Sequence, residues 1–202
     1  MDIVSALGLS SASGLNAYIP MLILGLLDRF TTIVSLPAGW EWLSNSWMLA
    51  IVTVLLIIEI VADKVPALDS FNDIIQTVVR PASGGIVFSS GLSGEPSLVS
   101  GTDSEFAWQP FLVGVVIALV IHLLKSLSRP VANVATAGVA APVISAGEDA
   151  TSLALSLVAV FIPVLVILIL IGMFATIGYV FYRARTLQLT RVHGPDLTDS
   201  SP

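Results

Sequence analysis

Glu59 and Asp63 stand one helical turn apart, so on a helix their carboxylates project from one side. Lys64 follows directly. Further along, His122, Lys125 and Arg129 are spaced three and four apart and also share a face. Carboxylates opposite an imidazole, an ammonium and a guanidinium have two uses. They bind a proton, an ion or a lipid headgroup, or they lock two helices together as an ion-pair cluster without a ligand. Glu59 is the one charged residue in the apolar run Trp47–Ala62, and His122 lies within the charge-free run Phe106–Leu124. A carboxylate in hydrocarbon costs several kcal/mol unless it is paired, protonated or hydrated. Glu59 and His122 are the deepest members and the stronger functional pair. Asp63, Lys64, Lys125 and Arg129 lie near the ends of their runs, where long side chains can snorkel to a polar surface.

Two further groups invite the same question. Gly14, Asn16 and Pro20 fall in a stretch of small residues, Gly8 to Pro20. Asn16 can hydrogen-bond between helices, and Pro20 frees a carbonyl. Such a break either binds a substrate at mid-depth or allows close packing with a proline kink, and the packing reading is favoured. Glu148 and Asp149 immediately precede the last apolar stretch. Acids suit a helix start, where the backbone dipole is positive; a cation site at the outer surface is the alternative.

The elements that must hold these residues are apolar. Between Asp149 and Arg183 there is no charged residue, a run longer than the ~20 residues that cross a bilayer core. The chain of 202 residues is 55% apolar and 11% charged, against about 25% charged for a soluble domain. Its start, Met-Asp-Ile, lacks the basic region of a signal peptide, so the first segment is expected as a mature helix. The expected fold is all-α and integral to a membrane: a compact bundle with four principal spans, Ile3–Leu27, Trp47–Ala62, Phe106–Leu124 and Ala150–Tyr182. Two shorter small-residue segments, Pro81–Gly94 and Pro130–Gly147, either span or re-enter. Ser70–Val79 carries Phe71, Ile74, Ile75, Val78 and Val79 at helical spacing, which predicts an amphipathic interfacial helix. Residues 1–186 form one polytopic domain and 187–202 a polar cytoplasmic tail.

Arg80-Pro81 and Arg129-Pro130 each stand before a small-residue segment, and proline fits a helix start. The echo is either a degenerate repeat of the transporter kind or coincidence. Arg183, Arg185 and Arg191 put the C-terminus in the cytoplasm. Six crossings then put the N-terminus there too, with Lys64, Arg80, Lys125 and Arg129 inside. Arg29, Glu148-Asp149, the acidic loop Glu95–Glu105 and the Trp40, Trp42, Trp47 belt fall outside.

A net charge of −6 disfavours a nucleic-acid partner. The absence of cysteine removes thiolate metal sites and Cys nucleophiles. His122 and His193 are the only histidines, and neither HExxH, a Ser-His-Asp spacing nor a phosphate loop is present. A non-enzymatic protein without cofactor or metal is expected.

Several motifs occur in a fixed order: Gly14-Leu-Asn-Ala-Tyr-Ile-Pro20, Glu59 through Asp63-Lys64-Val-Pro66 with Asp69, Arg80-Pro81 with Gly84, His122-Leu-Leu-Lys125 with Arg129, and Ser145 with Glu148-Asp149. Over roughly residues 5 to 175 the chain resembles a widespread family of bacterial membrane proteins catalogued as a domain of unknown function. The resemblance implies that these polar positions belong to a shared architecture in a bacterial plasma membrane protein; it implies no activity. Two functions fit. The favoured one is an accessory or structural subunit, docking by its small-residue faces on other subunits of a membrane assembly, such as an energy-converting complex. The alternative is a transporter or channel for an ion, small solute or lipid, built on the Glu59–His122 cluster. The lipid bilayer is a partner in both.

Overall fold

Asp2 starts the first helix. Its Oδ1 accepts the N–H of Ser5 at 2.8 Å, and α1 runs Ile3–Leu15. In this computed structural model, residues 1–37, 39–64, 66–92, 108–136 and 141–192 are described, with side chains at all of them except 66–71, 128–136, 141, 177, 180–181 and 184–192. At Asn16 the backbone turns extended (φ −143°, ψ 123°) and α1 ends. Asn16 Oδ1 then accepts the N–H groups of Tyr18 (3.0 Å) and Ile19 (3.2 Å) at the start of α2, Tyr18–Phe30. One side chain thus closes one helix and satisfies orphan donors of the next. Pro20 lies in the first turn of α2, where a missing N–H loses nothing. The expected single helix over Ile3–Leu27 is therefore two, and Asn16, not Pro20, makes the break.

A 3-10 turn, Glu41–Ser44, leads into α3, Ser46–Ala62, which Asn45 Oδ1 caps on Trp47 N–H at 2.9 Å. This helix matches the expected second segment. The next expectations need correction. The interfacial helix and the third segment are one helix, α4 (Pro66–Gly91), with Pro81 inside it. Helix α5 (Trp108–Thr136) likewise runs through Arg129-Pro130. Neither Arg-Pro pair opens a helix. An internal proline forfeits one backbone hydrogen bond, which is tolerated where neighbouring helices enclose it. The fifth segment is split: its beginning completes α5 and its end starts α6, Ala141–Phe161. Pro163 divides the sixth, separating α6 from α7, Val164–Val192. Glu148 and Asp149 consequently sit inside α6 rather than at a helix start. The acidic loop Glu95–Glu105 and the residues after Val192 lie outside the described residues.

Small residues set the spacing of the bundle. Helix α1 packs on α4, α5 and α6, and α4 lies along α5. A Cβ on Gly14 would strike the Ala118 carbonyl and Ile121; one on Gly84 would strike Ala118 and the Gly114 carbonyl. Ser10 Oγ donates to Gly114 O at 2.8 Å, Ser83 Oγ to Ala17 O at 2.5 Å, and Ser152 Oγ to Ala12 O at 2.9 Å. Close backbones tied by hydroxyls are how helices associate without a hydrophobic driving force. At Ser10, Gly14, Ser83, Gly84 and Ser152 the small-residue faces pack inside this chain's own bundle.

The described residues form helices and no strand; around an apolar core, ionisable side chains are buried while many large apolar ones are exposed. Ile57, Ile58 and Val61 of α3, Ile74 and Val78 of α4, and Val116 and Val120 of α5 point outward. Glu59, Arg80, His122 and Lys125 point inward. Of the apolar positions expected on residues 70–79, Ile74, Ile75 and Val78 are exposed, Val79 is half-buried and the Phe71 side chain lies outside the described residues, while Asn72, Gln76 and Arg80, spaced by four, are buried. Two helices, Trp108–Leu127 and Pro142–Phe161, are long and apolar enough to cross a membrane, and most of each faces outward (33% and 28% buried).

Candidate functional site

The buried polar groups converge where α1 gives way to α2. Arg80, from the middle of α4, lies at the centre and is fully buried. Its Nη2 donates to Glu59 Oε1 at 2.9 Å and lies 3.7 Å from Asp63 Oδ2; its Nη1 is 3.1 Å from His122 Nδ1. Glu59 and His122, expected to face each other, are thus each bound to the guanidinium between them.

The hydrogen-bond pattern fixes the imidazole. Thr77 Oγ1 donates its proton to Asp73 O at 2.8 Å, so at 3.1 Å it accepts from His122 Nε2–H. Arg80 can only donate, so Nδ1 is the acceptor.

Lys125 of α5 forms the second node. Its Nζ lies 2.9 Å from Glu148 Oε2 and 3.6 Å from Asp63 Oδ2, and donates to the Leu15 carbonyl at 2.9 Å. Leu15 is the last residue of α1, so the ammonium meets the negative end of the helix dipole. Asp63 joins the two nodes. It also accepts from Asn72 Nδ2 at 2.6 Å and from Ser145 Oγ at 3.4 Å.

A third, more accessible node lies at the edge. Asp149 Oδ1 accepts from Asn16 Nδ2 at 2.9 Å, and Oδ2 lies 3.8 Å from Lys64 Nζ. Lys64 also donates to Ile60 O at 3.1 Å. Gly14 and Pro20 flank Asn16 without entering the network: Gly14 seats α1 on α5, and Pro20 begins α2. Arg129 lies on α5, with its side chain outside the described residues.

These contacts overturn one expectation. Lys64 and Lys125 were placed on the inner side and Glu148-Asp149 on the outer, yet they pair directly. Six crossings with those four residues on opposite sides cannot hold. The assignment of the N-terminus to the cytoplasm rested on that count.

Sequence reasoning found Glu59, Asp63, His122 and Lys125 as one group but left out Arg80, Asn72, Gln76 and Thr77. Arg80 had been set at a helix start by its proline. A signal was available: Asn72, Gln76, Arg80 and Ser83 fall at intervals of four, four and three, a polar stripe on one helix face.

Among the described residues no three His, Cys, Asp or Glu side chains are arranged to hold a metal ion. The site is a chain of ionisable and hydrogen-bonding groups drawn from α1, α3, α4, α5 and α6. The family described as "Domain of unknown function (DUF4126)" matches residues 3–183. No curated protein and no solved structure matches.

Proposed function

Because the chain belongs to the DUF4126 family, whose description assigns no activity, we propose a function from the charge network itself. The protein is a polytopic helical membrane protein of the bacterial plasma membrane. It moves a small ion or solute across that membrane without chemically converting it.

One observation carries this reading: Glu59, Asp63, Arg80, His122 and Lys125 are buried together at a helix break, beneath an apolar exterior. Ionisable groups at membrane depth are expensive, and they mark ion and substrate pathways. Helices α1 and α2 have 13 residues each, or about 20 Å at 1.5 Å per residue. Each falls short of a ~30 Å hydrocarbon core, which puts the Asn16 junction between them at mid-depth. The end of α1 faces the Lys125 ammonium, and the start of α2 lies beside Asn16 and Asp149. Paired half-helix termini of this kind surround the ligands of secondary transporters.

Helices α4 to α7 have 26, 29, 21 and 29 residues, which gives each about 30 Å or more, enough to span the core. Arg183, Arg185 and Arg191 put the end of α7 in the cytoplasm, and the exposed Trp42 and Trp47 sit at an interface as aromatic anchors. The accessory-subunit reading relies on small-residue faces; those at Gly14 and Gly84 pack on the chain itself, while Gly147 and Gly172 are open.

Flux of protons, sodium, potassium and small solutes into liposomes containing the purified protein tests the proposal. The expected result is flux of at least one of them, lost in Asp63→Asn while the protein stays folded. Flux at the level of empty liposomes, with stoichiometric subunits co-purifying in mild detergent, would favour the accessory role instead.

A further inference from the structure

Arg80 meets Glu59 through one oxygen only. Nη2 donates to Oε1 at 2.9 Å, while Glu59 Oε2 and Arg80 Nε have no hydrogen-bond partner among the described residues. Nε–H and Nη2–H share an edge of the guanidinium, the edge that in a bidentate pair grips both carboxylate oxygens. Here the grip is single. An orphan acceptor and an orphan donor therefore stand on either side of the same 2.9 Å contact. Gln76, one turn before Arg80 on the same face of α4, adds a second orphan acceptor, its Oε1. Glu59, Gln76 and Arg80 are 1%, 2% and 0% exposed; Tyr18 is hydrogen-bonded to Gln76 and lies beside Glu59 and Arg80.

Orphan groups this deep carry their full desolvation cost. Two acceptors and one donor match a single water, which supplies two O–H groups and one oxygen. A metal cation fits poorly, since one of the three unpartnered groups, Arg80 Nε–H, is a donor on a cationic side chain. The bonded oxygen of Glu59 keeps Arg80, and its other oxygen is left to take a proton without breaking that contact.

We propose that Glu59 is an exchangeable proton site, loaded through a water held by Gln76 and Arg80, and that the proton is the ion this protein couples or carries. The assignment rests on the transport role above and names its ion. An O–H bond forms at Oε2 with a proton delivered by hydrated acid through the bound water, and breaks when the proton returns to water. The charged and titratable groups acting on Glu59 are Tyr18 of α2, Arg80 of α4 and Lys125 of α5, with His122 of α5 reaching it through Arg80. Asp63 lies just past the end of its own helix. From α6, Glu148 and Asp149 act through Lys125 and Lys64. Glu41, in the 3-10 turn, precedes the far end of α3.

Infrared difference spectra across a pH titration test this, with the full chain in liposomes of zwitterionic lipid. Proton flux under an imposed potassium-diffusion potential is read in parallel. Acidification is expected to raise a protonated-carboxyl band that disappears in Glu59→Gln. In Gln76→Leu the midpoint of that band is expected to shift by about one pH unit, tenfold in proton affinity. A band that persists at full strength in Glu59→Gln overturns the proposal. Should Glu59→Gln not fold, Gln76→Leu decides, and an unmoved midpoint overturns it. A Glu59 band without flux of any ion leaves the proton site standing and removes the transport role. Flux of sodium or potassium with no proton movement removes the proton as the coupled ion.

Discussion

Lys125 Nζ donates to the carbonyl oxygen of Leu15 at 2.9 Å, across 110 residues of sequence. The contact explains how a broken helix can end in the interior. The last carbonyls of α1 have no helical donors, and an ammonium supplies one while also meeting Asp63 and Glu148. Lys125→Met should cost about 3–5 kcal/mol, because Glu148 loses its buried cation and Asp63 loses one of two, keeping Arg80. Lys125→Arg should rescue little, since a planar fork cannot reach three divergent acceptors as a rotating ammonium can. Thermal unfolding in detergent checks both.

Arg80 and Glu59 should show strong coupling. Arg80→Leu alone strands Glu59 and is expected to destabilise by about 3–5 kcal/mol, whereas replacing both by leucine should cost clearly less than the sum of the single changes. A double-mutant cycle on unfolding midpoints measures this. Additive single costs would show that the ion pair does not hold α3 to α4.

Gly84 and Gly172 differ in what surrounds them. A Cβ at Gly84 meets Ala118 and the Gly114 carbonyl, so Gly84→Val should force α4 from α5 and cost about 1–3 kcal/mol or more. Nothing lies within 4 Å of a Cβ built on Gly172, inside helix α7. Gly172→Ala should be neutral or stabilise by up to about 1 kcal/mol, from helix propensity alone. Comparing the two unfolding temperatures separates packing from propensity.

The outward faces of α3, α5 and α7 should be shielded by lipid. The chain has no cysteine, so single cysteines report cleanly. Cysteines at Val54, Val120 and Ile167 should resist a charged maleimide in permeabilised membranes and react after denaturation in SDS. A cysteine at Thr32, exposed in the α2–α3 connection, should react in both states. Ready labelling of all three helix positions in folded protein would contradict membrane residence. An aspartate at Ile58 should disfavour insertion by about 2.5–3.5 kcal/mol.

Much of the site was legible because ionisable residues are so rare here. Glu59, Asp63, His122 and Lys125 stood out against apolar runs, and their spacing grouped them by face. Asn16 was visible as the polar residue in a small-residue stretch. Arg80 was misplaced because proline normally starts helices, and here Pro81 lies inside one. Residues 70–79 were expected as a separate interfacial helix, and they are instead continuous with the rest of α4. An apolar helix face seeks the interior in water, but in this fold Ile74, Ile75 and Val78 look outward while Asn72, Gln76 and Arg80 line the core.

Composition and spacing determined that the chain is helical, that its surface is apolar, and which few charges must find shelter, since those follow from solvation energies that each residue carries with it. Which charge meets which was decided by tertiary structure alone. Glu148 and Asp149 read as a helix start until α6 extended past them and brought them to Lys125 and Lys64. Helix ends and long-range pairs depend on how backbones pack at Gly14, Gly84 and Gly114, and that packing is a property of the assembled bundle.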